Sequence, residues 1–141
     1  MSPVALEGIT VLADDVDRLA VFFEQAIGMT VAVREEHYVE FEGEGIRLAI
    51  FRRHLMGPNT FDHASFRAAR GSQTFELNFR CPTPADVELT YTRFVEHGAT
   101  PIAPPTEMSW GHFTAFFADP EGNIHSLFAV LPEHQSQEAS L

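Results

Sequence analysis

Trp110-Gly111-His112-Phe113-Thr114-Ala115-Phe116-Phe117-Ala118-Asp119-Pro120-Glu121-Gly122-Asn123-Ile124-His125-Ser126-Leu127-Phe128 reads as a complete β-hairpin, two aromatic-rich runs joined by the turn Asp119-Pro120-Glu121-Gly122. Pro120 pre-sets φ near about −65° and Gly122 supplies a permissive backbone, so the chain can reverse there. Side chains along a strand alternate between two faces. Trp110, His112, Thr114 and Phe116 therefore share one face, while Phe113, Phe117, Leu127 and Leu77 are assigned to a helix-facing core.

Working outward, Ala5 to Leu12 reads as a strand, and Asp14-Asp15-Val16-Asp17 offers the acidic side chains favoured at a helix start. Val16, Leu19, Ala20, Phe23 and Ile27 follow helical spacing, with Gly28 as the stop. Three short strands are expected at Thr30 to Arg34, His37 to Glu42 and Ile46 to Arg52, giving the order βαβββ. A second βαβββ run follows: a strand at Thr74 to Arg80, a helix capped by Thr83-Pro84 with the stripe Val87, Tyr91, Phe94 and Val95, an end at His97-Gly98, then strands at Thr100 to Ala103, His112 to Ala118 and Asn123 to Val130. The expected organisation is a first module over 1–52, a connection over 53–72, a second module over 73–131 and a frayed tail over 132–141. The connection is long for an ordinary loop, and a lid or dimer contact stands beside a plain surface loop as its reading.

A tryptophan-glycine pair, a strand, Asp-Pro-Glu-Gly-Asn and a second apolar strand resemble the end of a module of the vicinal oxygen chelate superfamily, which includes glyoxalase I, bleomycin resistance proteins, fosfomycin resistance enzymes and extradiol dioxygenases. Leu6-Glu7-Gly8-Ile9-Thr10-Val11 is similar to the family's opening strand. The resemblance implies an α+β fold in which paired βαβββ modules curl a mixed sheet around a cleft, within one chain or across a dimer. It also implies where a divalent metal would be held, through His, Gln or Glu on the first strand of each module and Glu on the last. Those positions fall on Gly8, Glu76 and Ser126. Glycine offers no ligand atom and a neutral serine is a poor one, so the fold is expected without the usual metal site.

The remaining histidines do not rebuild that site by pattern. His125 should leave the cleft if Ser126 enters it, and His37, His97 and His134 read as solvated surface. In the dioxygenase branch a histidine at a matching distance before Asp-Pro-x-Gly lies near the metal; here His112 stands either as a ligand-facing donor or as a strand histidine bonded to a neighbour. Glu76 is either a partner for a cationic ligand or an ion-paired structural residue, with Arg47 and Arg80 as candidate partners. Trp110, Phe116 and Phe128 can stack a flat ligand or hold a cation over a ring. With His112, Glu76 and these aromatics, the candidate ligand-binding set takes in Asn78, Ser126 and Thr10. No catalytic residue is assigned; His112 and Glu76 are the candidates if the chain is an enzyme. Glu40 and Glu42 share a strand face but form a weak acid/base pair.

The chain has 141 residues, of which 45% are hydrophobic, and a formal charge of −11. That balance repels nucleic acid and anionic membranes and favours a neutral or cationic small molecule. One cysteine, Cys81, leaves no internal disulfide, and Met1 to Gly8 lacks the basic region of a secretory signal, so the cytoplasm is the expected compartment. No glycine-rich phosphate loop, paired-cysteine site or nucleophile elbow is present. The expectation is a homodimeric, metal-independent binding protein for an aromatic or cationic molecule, possessing no cofactor and similar to the bleomycin resistance branch, which sequesters an antibiotic. The alternative is a glyoxalase-like or dioxygenase-like enzyme, a lyase, isomerase or ring-cleaving oxygenase, with a displaced divalent metal.

Overall fold

The computed structural model describes residues 4–134, and the expected tail beyond His134 lies outside the described residues, as do residues 1–3. The chain forms two units that divide between Gly71 and Ser72. Each holds one α+β layer pair in the order βαβββ with a four-stranded mixed sheet.

In the first unit β1 (Gly8–Ala13) leads into α1 (Val16–Phe22), and β2 (Val31–Glu35), β3 (Tyr38–Phe41) and β4 (Arg47–Arg52) follow. The sheet order is β1-β4-β3-β2, with β1 parallel to β4 and the other pairs antiparallel. Asp15 caps α1 by accepting from the Arg18 amide at 3.1 Å, satisfying one of the amides a helix start leaves free. The helix then widens into a π turn over Phe23–Ile27 before Gly28 ends it at φ 88°, a value that favours glycine. The wide turn rotates the buried face: Ala26 is buried while Ile27 is only half-buried, which corrects the expected stripe. Phe22, Phe23, Val39, Phe41 and Ile50 form the core beneath the helix.

The connection is not an irregular loop. It contains the short α2 (Met56–Asn59) between 3-10 turns at Arg53–Leu55 and Ala64–Phe66, with Arg53 donating to the carbonyls of Ser65 and Ala68 at 2.9 Å each.

In the second unit β5 (Asn78–Arg80), α3 (Pro84–Glu96), β6 (Thr100–Glu107), β7 (His112–Ala118) and β8 (Ile124–Val130) give the sheet order β5-β8-β7-β6, with β5 parallel to β8. Thr83 caps α3 and Pro84 occupies its first turn, where a missing N–H costs nothing. Val87 and Phe94 are buried; Tyr91 is half-buried and Val95 is exposed, so the apolar stripe is narrower than expected. The Phe117 ring meets Phe94 edge-on at 4.8 Å and lies 5.6 Å from His125. Burying a ring this fully contributes about 1.5–3 kcal/mol. Two strands depart from expectation. β6 runs to Glu107 rather than Ala103, because it is an edge strand whose bulged ladder tolerates Pro101, Pro104 and Pro105. β5 begins only at Asn78, leaving Thr74 to Leu77 outside the ladder.

The Asp119–Gly122 turn closes with the Gly122 amide donating to the Asp119 carbonyl at 2.8 Å. The buried Asp119 carboxylate accepts from the amides of Glu121 (2.9 Å) and Asn123 (3.0 Å) and from His125 Nε2 (2.7 Å). These donors replace the water that a buried carboxylate has lost.

Candidate functional site

In the second unit, the sheet face turned away from α3 carries a cavity of about 420 Å³. Strand alternation and the β7–β8 register build it: His112, Thr114 and Phe116 from β7 stand beside Ser126 and Phe128 from β8, with Asn78 from β5 next to Ser126. Trp110 and Glu76 complete the lining from outside the strands. The His112 and Phe128 rings stack at 4.6 Å with planes 11° apart, which fixes the imidazole plane against the wall. Trp110 is 58% exposed, a large amphipathic ring left at the rim.

The polar part of the lining is partly committed to itself. Ser126 is buried and its hydroxyl donates to Asn78 Oδ1 at 2.6 Å, so both side chains keep hydrogen-bonding capacity beyond this bond. Thr114, buried at 3% exposure, adds a second hydroxyl. Glu76 is exposed and, among the described residues, forms no ion pair. Of its two expected partners, Arg47 is engaged by Glu7 and, among the described residues, Arg80 forms no ion pair with it, which corrects that reading.

Arg47 instead belongs to the open face of the first unit. Its Nε donates to Glu7 at 3.0 Å and its Nη1 to the Tyr38 hydroxyl at 3.1 Å, while Tyr38 donates to Glu40 at 2.6 Å. The hydrogen bond from Arg47 holds the Glu7 carboxyl below its ordinary value, and the bond to Glu40 pushes the Tyr38 phenol up. This network rests on Gly8: a Cβ there would come within 2.9 Å of both Arg47 Nη2 and the Arg47 carbonyl oxygen. Gly8 is thus needed for close approach to Arg47, as well as lacking a ligand atom.

The donor set does not fit the metal that the resemblance implies. At the positions in question stand Gly8 beneath a guanidinium, a Ser126 hydroxyl already bonded to Asn78, and the single carboxylate of Glu76. Among the described residues no group of three or more His, Cys, Asp or Glu side chains is arranged to hold an ion.

The sequence model of the Glyoxalase/Bleomycin resistance protein/Dioxygenase superfamily matches residues 5–126. The chain belongs to that superfamily. Among solved structures, a glyoxalase/bleomycin resistance protein/dioxygenase family enzyme from Burkholderia phytofirmans PsJN is 22% identical at TM-score 0.81, covering 91% of this chain and 100% of that one. A glyoxalase/bleomycin resistance protein/dioxygenase from Nocardioides is 21% identical at TM-score 0.77, covering 94% and 87%. A lactoylglutathione lyase from Agrobacterium tumefaciens is 20% identical at TM-score 0.64, covering 92% and 96%. At these identities the likeness is one of fold. No curated protein matches the chain.

Of the candidate ligand-binding residues, Trp110, His112, Glu76, Asn78, Phe116, Ser126 and Phe128 line the cavity of the second unit. Thr10 lies on β1 in the first unit and is not in that lining. Thr114 was absent from the candidate set although alternation already placed it beside His112; its small side chain gave no chemical signal of its own. His125 does lie on the opposite face from Ser126, buried at 2% exposure. His134 is half-buried rather than plainly solvated, and its ring packs where a Gly111 side chain would be, 2.5 Å from an added Cβ.

Proposed function

We propose that this protein is a metal-independent binder of a small aromatic or cationic molecule, held in the cavity of the second unit. The carrying observation is the composition of that cavity: Trp110, His112, Phe116 and Phe128 supply flat rings, and Glu76 is the one carboxylate in the lining. Its size falls within the roughly 300–1,000 Å³ of small-molecule sites. Aromatic faces attract cations, and a carboxylate beside them adds a charge partner. Sequestration of an antibiotic of that chemistry by a cytoplasmic homodimer is the corresponding role. Family membership supports this reading alongside catalysis, because one fold hosts both.

The test uses 10-methylacridinium and its neutral relative acridine in neutral buffer, followed by quenching of Trp110 and by calorimetry. Binding of the cation in preference to acridine is expected. Equal or absent binding of both, or one divalent ion per chain held at submicromolar Kd, about −8 kcal/mol, would overturn the reading. The glyoxalase-like alternative rests on the His112 imidazole in the cavity wall; turnover of an oxygen-rich substrate that His112→Ala abolishes without loss of binding would establish it.

A further inference from the structure

The carboxylate of the cavity sits on a segment that is held by side chains rather than by the sheet. In the β5–β8 pair the Leu77 carbonyl still accepts from the Ser126 amide at 3.0 Å. Continuing the parallel ladder would send the Leu77 N–H to the Ile124 carbonyl. That carbonyl is taken: Gln73 Nε2 donates to it at 2.7 Å, and Gln73 Oε1 accepts from the Ile124 amide at 2.6 Å. The Leu77 N–H turns instead to His125 Nδ1, at 3.2 Å on the helix side of the sheet. Nδ1 is therefore the acceptor, and Nε2 carries the hydrogen donated to Asp119 at 2.7 Å. The chain leaves the ladder at this residue, and Glu76, next before it, stands exposed at the cavity.

We propose that His125 and Gln73, neither of which lines the cavity, are positioning residues that set the place of Glu76 and with it the preference for a cationic ligand. The inference rests on the proposed function and goes beyond it by naming what makes the site selective. His125 works from the reverse face through one backbone amide, and Gln73 works by occupying the end of β8. A buried Leu77 amide without an acceptor is costly, so loss of His125 favours a rearranged backbone at residues 73–77. Selectivity then falls even though no group facing the ligand has changed.

The experiment compares the full chain with His125→Leu, His125→Asn, Gln73→Ala and Glu76→Gln. Amide hydrogen exchange at Leu77 is read without ligand, and the affinity ratio of 10-methylacridinium to acridine is read with it. His125→Leu is expected to speed exchange at Leu77 by about tenfold or more, since exchange reports local opening. The cation-to-neutral ratio should fall at least about threefold toward the Glu76→Gln value. His125→Asn, whose amide can offer an acceptor near the position of Nδ1, should recover both. Gln73 is exposed, so Gln73→Ala serves if His125→Leu fails to fold, and it too should speed exchange and lower the ratio. Folded variants that keep parental exchange and parental ratio would overturn the proposal. If Glu76→Gln itself leaves the ratio unchanged, the cationic-ligand reading is what fails, and the exchange at Leu77 alone decides whether His125 and Gln73 hold this segment.

Discussion

The two sheets share an element order and a strand order, yet their open faces are used in opposite ways. In the first unit Gly8 pairs in register with Arg47, and the guanidinium lies over the glycine, tied to Glu7 and Tyr38. In the second unit the register pair on the cavity face is Asn78 and Ser126, two short polar side chains bonded to each other. A long charged side chain lies across one face; short ones border the cavity on the other, walled by rings from β7 and β8. Duplicated architecture therefore does not duplicate the chemistry of the open face: one carries an arginine network, the other a cavity lined by rings and short polar side chains.

The largest expected effect separates the cores. Phe117→Ala removes the ring that meets Phe94 and His125, and should destabilise the second unit by about 3–5 kcal/mol. Denaturant unfolding followed by the fluorescence of Trp110, which lies in the second unit, is the measurement; a parental midpoint would contradict the packing described. Next comes the glycine beneath Arg47. Gly8→Ala should cost about 1–3 kcal/mol through overpacking, whereas Gly43→Ala, with nothing within 4 Å of the added Cβ, should stay within about 0.5 kcal/mol. Equal effects would mean that Arg47 does not approach Gly8 this closely. A histidine introduced at Gly8 would meet the same obstacle, so a metal ligand there first requires Arg47 to move.

The open face is tested by its rim. Trp110→Ala should weaken 10-methylacridinium by about 1–3 kcal/mol, the usual range for losing an aromatic anchor. Glu7→Gln should leave that affinity unchanged, because Glu7 belongs to the Arg47 network of the first unit and not to the cavity lining. The smallest effect is electrostatic. The folded-state Glu7 carboxyl titrates below its ordinary value, so its contribution is present above that value and disappears as pH falls through the lowered one. Denaturation midpoints across the acid range should therefore fall less steeply in Glu7→Gln than in the parent; parallel curves would show that Arg47 does not hold Glu7.

Local chemistry made most of the fold legible. Asp119-Pro120-Glu121-Gly122 fixed both ends of the hairpin within a residue because turn geometry is set by Pro and Gly themselves. Asp15 and Thr83 marked helix starts for the same reason, their side chains bonding the amides three residues on. What escaped was decided by partners distant in sequence. Phe75-Glu76-Leu77-Asn78-Phe79 alternates as a strand should, but Gln73 captures the Ile124 carbonyl and the ladder stops. Arg47 as a partner of Glu76 respected charge and missed Glu7, the carboxylate that Arg47 bonds. Seven of the eight lining residues were readable from alternation and resemblance, since six of the eight lie on one sheet face. Thr114 shares that face by alternation, but its small side chain carries no chemical signal of its own.

The π turn at Phe23–Ile27 has a consequence for how chain length can change in this lineage. There the Phe23 carbonyl accepts from the Gly28 amide and from the Met29 amide at 3.0 Å, so the helix spends one more residue on this turn than α spacing requires. Gln25, within the turn, is exposed. Deleting it would let the turn close to α spacing and bring Ile27 round toward the place of Ala26, with Gly28 still available to end the helix. In the first unit, this is where a codon can be lost from inside a helix without moving the strands on either side.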